Sequence, residues 1–415
     1  MSSVLDFAIQ SGICRLTSEV SSLPTSIFVL SSRIPMARHT SSPSPFPSVL
    51  IVGVGLIGGS FGLALRRTFR DVHVVGFDRP SVLRKALALG AINHMAHDLH
   101  AAVGIADLVV VAVPSKAIRQ VLSSIAPHVP STTLVTDTGS VKQAILAHAE
   151  RLFPRGNFIG GHPMTGAERS GITAAQPLLF ENALYVLSPL ANTPGRTMRK
   201  CATFFHRLGA RVVQMDAARH DAAVAAVSHL PQLAAVALMR TAGWRHPVAR
   251  KYLALGAGGF RDMTRIASSP FGMWGDILEE NRREIRSALR LYRMELEQID
   301  RALRHAPRRL RHTFDEARSI RSQIPAGMKG FLHTLTGIQV FLEDKPGTLL
   351  AVIRALSRAR INIKDIELIK VREGLGGTFR LWFESAADAR RASAALRKAN
   401  IILSSGASRG PARRG

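Results

Sequence analysis

The stretch VLIVGVGLIGGS, residues 49–60, joins a short β-branched run to a glycine-rich turn. Val49–Val52 has the length and composition of a buried strand, and the residues after the turn read as a helix over 59–69. Asp78 ends the next strand-like run, 20 residues after the third spaced glycine. This combination of strand, spaced glycines, helix and acid predicts a Rossmann dinucleotide-binding domain.

Each position of the turn has an expected task. Gly53 makes the tight bend, Gly55 lets the backbone approach a pyrophosphate, and Gly58 allows the helix to pack closely on the strand. Leu56 and Ile57, between the second and third glycines, are further candidate cofactor contacts, and the N-terminal N–H groups of the helix would face the phosphates.

Asp78 indicates which dinucleotide is bound. A carboxylate there accepts hydrogen bonds from the adenosine ribose and repels a 2′-phosphate, so NAD is favoured over NADP. Arg79 beside it weakens this preference, because a guanidinium can hold a 2′-phosphate. Val113 and Pro114 close another strand at the carboxyl edge of the sheet, where we expect further cofactor contacts.

The pattern along the chain predicts an α/β protein with three folded units. Strands alternate with helices first, a helical region follows, and a βαββαβ pattern typical of a ferredoxin-like domain comes last. The predicted segments are an N-terminal extension that is disordered or non-native (1–48), the Rossmann domain (49–216), a helical substrate and dimerisation domain (217–325), a linker (326–336), the ferredoxin-like domain (337–405) and a tail (406–415).

Two features qualify this division. The extension is rich in Ser and Pro and poor in acids, so a transit segment is the alternative interpretation. An amphipathic helix over 277–303 carries an apolar stripe that needs a partner surface, which predicts a homodimer.

The net charge of the 415 residues is +26, with 46% hydrophobic residues and two cysteines. The basic excess is spread out: 8 over residues 49–216, 8 over 217–325 and 5 over 337–405. A nucleic-acid surface normally clusters its charge among aromatic residues, which make up 6% here, so we expect no nucleic-acid role. The longest apolar run, residues 222–239, is interrupted by His229, Pro231 and Gln232, so we expect no membrane span.

Four blocks carry groups suited to chemistry: TDTGSVK (136–142), GGHPMTGAE (160–168), SHLPQ (228–232) and GGFRDMTR (258–265). His162 stands between Gly and Pro, which indicates a constrained loop and not a helical core face. Ser140 could equally be a helix N-cap. His229 is evenly balanced between packing and a site, whereas Arg265 beside a glycine cluster suits an anion clamp.

In this order the blocks resemble the prephenate dehydrogenase family, which includes arogenate and cyclohexadienyl dehydrogenases, over about residues 48–323. The resemblance implies oxidative decarboxylation, in which a ring hydride passes to NAD and the ring carboxylate leaves as CO2. It makes His162 the catalytic base for the ring hydroxyl proton and Ser140 a bridge between hydroxyl, histidine and nicotinamide. Arg265 would bind a substrate carboxylate. Gln232 departs from the His common at that position in the family.

The resemblance also assigns residues around the substrate. His229, Gly258 and Trp274 match positions near the substrate side chain, and Glu168 and Asp262 match an acidic pair that forms an ionic gate with the arginine. It implies no metal and a cytoplasmic enzyme.

The C-terminal unit looks like an ACT regulatory domain. In such domains the positions of Asp344, Pro346, Gly347, Asn362 and Ile363 bind an amino acid, so tyrosine is the expected effector. A vestigial oligomerisation module is the alternative.

Arogenate dehydrogenase, which uses the same chemistry on an aminated side chain, is the main alternative. Two further functions fit the residues less well. A non-catalytic NAD or amino-acid sensor would lack His162 and Arg265, and this chain has both. A dehydrogenase of β-hydroxy acids would need a helical-domain lysine block that residues 217–300 do not offer.

Overall fold

The computed structural model describes residues 43–166, 170–324, 335–372 and 376–404. The chain divides into two compact units, residues 1–298 and 299–415. Each unit is described by itself.

The first unit contains an eight-stranded sheet. Its strands are β1 (Ser48–Val52), β2 (His73–Phe77), β3 (His94–Met95), β4 (Leu108–Val111), β5 (Leu134–Asp137), β6 (Phe158–Pro163), β7 (Leu184–Pro189) and β8 (Arg211–Gln214). Their spatial order is β3-β2-β1-β4-β5-β6-β7-β8, and every neighbouring pair is parallel except β6 with β7. The order reverses between β1 and β4, which makes the crevice there the expected ligand site.

Helices cover both faces of this sheet. They are α1 (Leu56–Thr68), α2 (Pro80–Ala88), α3 (Leu99–Gly104), α4 (Ser115–Ile125), α5 (Gln143–Leu152) and α6 (Gly195–Arg207). β4 is buried at all four positions, as strands covered on both sides must be. Two separate apolar clusters, one on each face, form the core. The predicted Rossmann domain is confirmed.

Residues 43–48 correct the predicted extension. Phe46 is buried and packs edge-on against Phe204 at 5.0 Å between ring centroids, while Arg207 donates to the Pro43 carbonyl. Ser48 already belongs to β1. This segment is therefore part of the packed domain, because an aromatic side chain so placed fills the core beside α6.

The helical region follows β8. It consists of α7 (Ala217–Val224), a π-helical turn (Ala225–His229), α8 (Leu230–Arg240), a second π turn (Thr241–Arg245), α9 (Pro247–Lys251), α10 (Gly258–Thr264), α11 (Phe271–Glu280) and α12 (Arg282–His305). The predicted single helix over 277–303 is wrong, because Asn281 interrupts it and turns its side chain toward α7 and the first π turn.

The continuous helical run Ala217–Arg245 is long and apolar enough to cross a membrane by length and composition alone. Its most apolar window has a mean hydropathy of 1.6 and is 28% buried. One such helix in the described part of the chain is weak evidence for a span, since core helices of water-soluble proteins have the same composition.

The second unit holds α13 (Leu310–Gln323) and a four-stranded antiparallel sheet. The strands of this sheet and the two helices between them are, in chain order, β9 (Thr336–Leu342), α14 (Thr348–Arg358), β10 (Asp365–Arg372), β11 (Gly376–Phe383), α15 (Ala386–Lys398) and β12 (Leu403–Ser404). The order β10-β11-β9-β12 is the ferredoxin-like plan, and its apolar core lies between the sheet and the two helices. The predicted fold class is confirmed, whereas the exact domain boundaries stay a prediction.

Candidate active site

The turn after β1 has the geometry that a dinucleotide needs. Gly53 has φ +91°, and a Cβ there would lie 2.6 Å from the Ala112 carbonyl oxygen, so a side chain is excluded. A Cβ at Gly58 would lie 2.0 Å from the Gly53 oxygen, which explains the close approach of α1 to β1. Space is open around Gly55, and α1 has no side-chain cap at its N-terminus. Its first N–H groups are therefore available to an anion.

Asp78 lies beside this turn. Its Oδ2 accepts the Val54 backbone N–H at 2.8 Å, and its Oδ1 accepts the Arg79 N–H at 2.7 Å. These bonds hold the carboxylate at the end of β2, on the side of the crevice where a ribose would lie. Val113 and Pro114 lie just beyond the end of β4, after Ala112, and the Val113 side chain borders the space around Gly53. The predicted cofactor residues therefore lie together at one sheet edge.

A buried ion pair lies under the loop that follows β5. Lys142 and Asp137 contact each other through Nζ and Oδ2, and neither side chain is exposed. Asp137 also accepts backbone N–H groups from Gly139 and Gly161. Ser140 is half-buried in this loop, and it is not the N-cap of α5, because the helix starts three residues later.

His162 lies in β6, not in a loop as its Gly and Pro neighbours indicated, because pairing with Val186 of β7 extends the strand past it. Its Nδ1 is 2.8 Å from His220 Nε2, and His220 Nδ1 is 2.7 Å from Asp221 Oδ1. All three side chains are buried. Burial holds the pKa of His162 well below its usual value, and positive charge on His220, Lys142 or His229 would lower it further. His162 is therefore neutral near pH 7.

Asp221 connects this histidine pair to the nucleotide-binding domain. Its Oδ1 accepts the Lys142 backbone N–H at 2.7 Å and its Oδ2 accepts the Gln143 N–H at 2.9 Å. A carboxylate 78 residues further along the chain thus satisfies the first donors of α5, which a local N-cap would otherwise bond.

His229 closes the first π turn and is buried. Asn281 Nδ2 donates to the Asp221 carbonyl at 2.9 Å and lies 3.2 Å from His229 Nδ1. Since the carbonyl can only accept, this amide nitrogen is the donor to both, and Nδ1 of His229 is the acceptor. The proton of neutral His229 is then on Nε2. Burial lowers the pKa of His229 to about 4.

Trp274 of α11 stands edge-on to His229, with 5.9 Å between ring centroids. Its Nε1–H is buried and has no hydrogen-bond partner among the described residues. A buried indole donor without a partner suits a ligand acceptor, so the structure brings two donors, from His229 and Trp274, to one place.

Arg265 starts a 3-10 turn, Arg265–Ser268, after α10. Gln232 Nε2 donates to the Ile266 carbonyl at 3.0 Å, so the residue that departs from the family pattern holds the arginine's segment. Gly258 and Asp262 are exposed on α10. Glu168, the other member of the predicted gate, lies outside the described residues.

The predicted effector residues are described within the second unit alone. Asp344, Pro346 and Gly347 form the exposed turn between β9 and α14, in which Gly347 has φ +91° and caps α14 without a side chain. Asn362 is exposed and Ile363 half-buried, just before β10. Within the described ranges no group of three His, Cys, Asp or Glu side chains is arranged to hold a metal ion.

Several residues of the site escaped sequence reasoning: Asp137, Lys142, His220, Asp221 and Asn281. The adjacent pair His220-Asp221 could have been found from the sequence, because a histidine next to a carboxylate near the start of a predicted helix is typical of a proton-transfer site. The others act through contacts that join distant segments, which spacing does not reveal.

Comparison with known proteins gives three family matches. Residues 61–214 match the prephenate dehydrogenase nucleotide-binding domain, residues 216–316 its dimerization domain, and residues 336–401 the ACT domain.

Individual relatives agree with these matches. A prephenate dehydrogenase of Bacillus subtilis is 32% identical over 352 residues, which cover 83% of this chain and 94% of the relative. The crystal structure of Aquifex aeolicus prephenate dehydrogenase with hydroxyphenyl propionate and NAD+ superposes with a TM-score of 0.62 at 30% identity, covering 69% of this chain and all of that one. Synechocystis arogenate dehydrogenase gives a TM-score of 0.61 at 30% identity, covering 66% and 99%.

Proposed function

The chain belongs to the prephenate dehydrogenase family, and from that premise we propose that it converts prephenate to 4-hydroxyphenylpyruvate by NAD-dependent oxidative decarboxylation, in tyrosine biosynthesis. The observation that carries the proposal is a neutral, buried His162 near the carboxyl end of β6, a strand parallel to β5, so that it lies at the same edge of the sheet as the glycine turn. A base of this kind can accept a proton at neutral pH.

The residues present fit NAD. Gly55 leaves room for a pyrophosphate against the N-terminus of α1, while Gly53 and Gly58 allow the tight turn and the close packing of α1 on β1. Asp78 offers a carboxylate for the ribose. When bound, NAD supplies the hydride acceptor. Among the described residues next to Asp78, Arg79 is the one that could hold the 2′-phosphate of NADP. Its Nε lies 3.9 Å from the Asp78 carboxylate, which would repel that phosphate.

We assign the chemistry to the chain's own groups. His162 accepts the ring hydroxyl proton, Ser140 orients the hydroxyl, and Arg265 binds the ring carboxylate through its forked donors. Loss of CO2 makes the ring aromatic, so the site needs to orient the substrate more than to activate it. Asp262 and Glu168 would close the site by pairing with the arginine.

The substrate side chain distinguishes prephenate from arogenate. The Nε2–H of His229 and the Nε1–H of Trp274 are both donors, and they suit the keto and carboxylate oxygens of prephenate. The ammonium group of arogenate is itself a donor and would need an acceptor. Gly258 is exposed on α10 and is proposed beside the substrate side chain because it matches that position of the family.

The homodimer has support from the helical region. Val227, Trp244, Leu255 and Phe271 are large apolar residues with more than half of their surface exposed. Such an apolar surface suits a subunit interface. The helical run with membrane-like composition carries His220, Asp221 and His229, which are buried in the site, and we therefore propose a cytoplasmic enzyme and no membrane span.

Tyrosine is the proposed effector of the ACT domain. The uncapped N-terminus of α14 can receive a carboxylate, and Asp344 lies in the turn before it. A domain of this type in a dehydrogenase of tyrosine synthesis supports feedback by the end product.

One assay tests the function. NADH formation is measured with prephenate and with arogenate, each with and without tyrosine. Turnover of prephenate with NAD is the expected result, and His162→Asn should lose several orders of magnitude in kcat while retaining NAD binding. Faster turnover of arogenate than of prephenate would make arogenate the substrate. Turnover of neither compound would contradict the proposed function.

A further inference from the structure

The contacts of His162 determine where its proton lies. Asp221 is bonded at Oδ1 by the Lys142 backbone N–H and at Oδ2 by the Gln143 N–H, and neither amide donor can be reversed. Both carboxylate oxygens are therefore acceptors, and His220 Nδ1, 2.7 Å from Oδ1, must be the donor to it.

The position of the proton on His220 determines the position of the proton on His162. In a neutral His220 with its proton on Nδ1, Nε2 carries a lone pair and can only accept. Its partner at 2.8 Å, Nδ1 of His162, must then carry the proton. Nε2 of His162 is left unprotonated.

We propose that His220 and Asp221 are positioning residues that keep His162 in the Nδ1–H form, so that its Nε2 is the base. The proposal deepens the proposed function and rests on it for the identity of the reaction. As the substrate O–H bond breaks, an Nε2–H bond forms on His162 while the ring C–H bond gives up its hydride, and the hydrogen bonds to His220 and Asp221 stabilise the imidazolium. When the bond to the ring carboxylate then breaks, its electron pair makes the ring aromatic, and the Nε2 proton returns to the phenolate oxygen of the product.

The alternative arrangement has a charged His220. It would donate from Nε2 to Nδ1 of His162, whose proton would then occupy Nε2 and block it as a base. The groups whose charge acts on His162 are His220, Lys142 and His229, with Asp221 beyond His220. The proposed function needs an unprotonated Nε2 on His162, so the proposal takes the arrangement in which His220 accepts at Nε2, and the two arrangements predict opposite protonation of the two nitrogens of His162.

Nitrogen NMR of the full-length protein reads this form directly. The protein is labelled with [¹⁵N]histidine, and His162→Asn identifies the ring signals by their loss. We expect a protonated Nδ1 and an unprotonated Nε2 for His162 at pH 7.5 without any ligand. The reverse pattern would overturn the proposal. This result does not depend on the substrate, so it stands apart from failure of the proposed function, which would appear as absent turnover by the wild-type enzyme.

Two substitutions separate positioning from packing. His220→Gln keeps an acceptor near the Nε2 position, and His220→Met keeps the volume without it. We expect His220→Met to lower kcat by about 10²- to 10⁴-fold with less change in KM, and His220→Gln to recover at least tenfold of that loss. His148→Gln is the matched control, because His148 is half-buried on α5 and contacts Ser123 instead of the histidine pair, and it should leave kcat unchanged.

The pH dependence of kcat/KM provides a second test, because a packing defect alone would lower kcat/KM without changing the pH at which activity is lost. Without an acceptor for Nδ1–H the imidazolium is less stable, so the acidic limb of kcat/KM should shift to lower pH in His220→Met. A shift to higher pH would mean that His220 is charged and repels, and equal loss in both variants with an unshifted limb would mean packing alone. Either outcome would overturn the proposal.

Discussion

Lys142 and Asp137 form an ion pair in which neither side chain reaches solvent. Asp137 also accepts N–H groups from Gly139, in the loop after β5, and from Gly161, the residue before the proposed base His162. The pair therefore joins the loop that carries Ser140 to the strand that carries the base. Its loss would disturb both parts of the site together.

Lys142→Met tests how much this pair matters. The substitution leaves the Asp137 carboxylate buried without its cation, and breaking a buried pair in this way costs about 3–5 kcal/mol. We expect the free energy of unfolding, measured in urea, to fall by that amount. The double variant Lys142→Met, Asp137→Asn should regain part of it, because the uncompensated charge is gone.

Lys116→Met is the matched control for that experiment. Lys116 pairs with Asp276 and Glu279, but the side chain is 56% exposed, so solvent screens both contacts. Its loss should leave the urea midpoint nearly unchanged. Equal midpoints for Lys142→Met and wild type would show that the buried pair contributes nothing to stability.

His229 makes stability fall in acid. Burial lowers its pKa to about 4 from the ordinary histidine value of 6.5, so the folded state binds a proton less readily than the unfolded chain. The stabilisation is therefore complete above the unfolded pKa and is lost as pH falls from about 6.5 toward 4. At about 1.4 kcal/mol per pKa unit, this histidine alone removes about 2 kcal/mol between pH 6.5 and 5.

Urea unfolding at pH 7.5 and at pH 5.0 measures this loss. His229→Gln keeps the volume but does not titrate, so its stability should fall by about 2 kcal/mol less than wild type over the same interval. His162 shares the direction of shift and will contribute to the remaining slope. An identical slope in the variant would show that His229 is not the group responsible.

Asn281 orients His229, and its removal should affect substrate use. Asn281→Ala takes away the donor to His229 Nδ1, so the Nε2–H form is no longer selected. We expect kcat/KM for prephenate to fall about tenfold, equivalent to about 1.4 kcal/mol. Stability should fall by about 0.5–1.5 kcal/mol for the lost hydrogen bond, because the Asp221 carbonyl keeps the Ala225 backbone N–H.

Asn157→Ala provides the comparison. Asn157 also donates from Nδ2 to a backbone carbonyl, that of Thr133, but these residues lie just before β6 and β5, at the opposite end of those strands from His162. It should lose stability with kcat/KM unchanged. If both variants keep full kcat/KM, the orientation of His229 by Asn281 does not influence the substrate.

These contacts show which parts of the molecule a sequence can predict. The glycine turn and Asp78 act within one βαβ unit, so their spacing already contains the geometry. The bonds from Asp221 to the start of α5 and from Asn281 to His229 join segments 52 or more residues apart. The break at Asn281 likewise depends on its tertiary bonds, which outweigh the continuous apolar stripe of the surrounding helix.

The effector site makes a separate prediction. Asn362→Ala should raise the tyrosine concentration that half-inhibits the enzyme by about tenfold, as loss of one or two ligand hydrogen bonds would. The kcat without tyrosine should not change, because Asn362 lies in the second unit. Ser357→Ala, on the exposed end of α14, should leave inhibition unaltered. Unchanged inhibition in Asn362→Ala would instead favour the vestigial module or binding of tyrosine elsewhere.

Asp78 should determine the choice of cofactor. Asp78→Asn keeps an oxygen that can accept the Val54 N–H, so the turn is preserved, but it removes the charge that repels a 2′-phosphate. The guanidinium of Arg79 is then free to attract that phosphate. We expect the ratio of kcat/KM for NADP to that for NAD to rise about 10- to 100-fold, or about 1.4–2.8 kcal/mol of altered discrimination. Asp71→Asn, an exposed acid just before β2, removes the same net charge without touching the ribose position and should leave the ratio constant. A ratio that changes equally in both variants would mean that overall charge, and not the contact at Asp78, sets the preference.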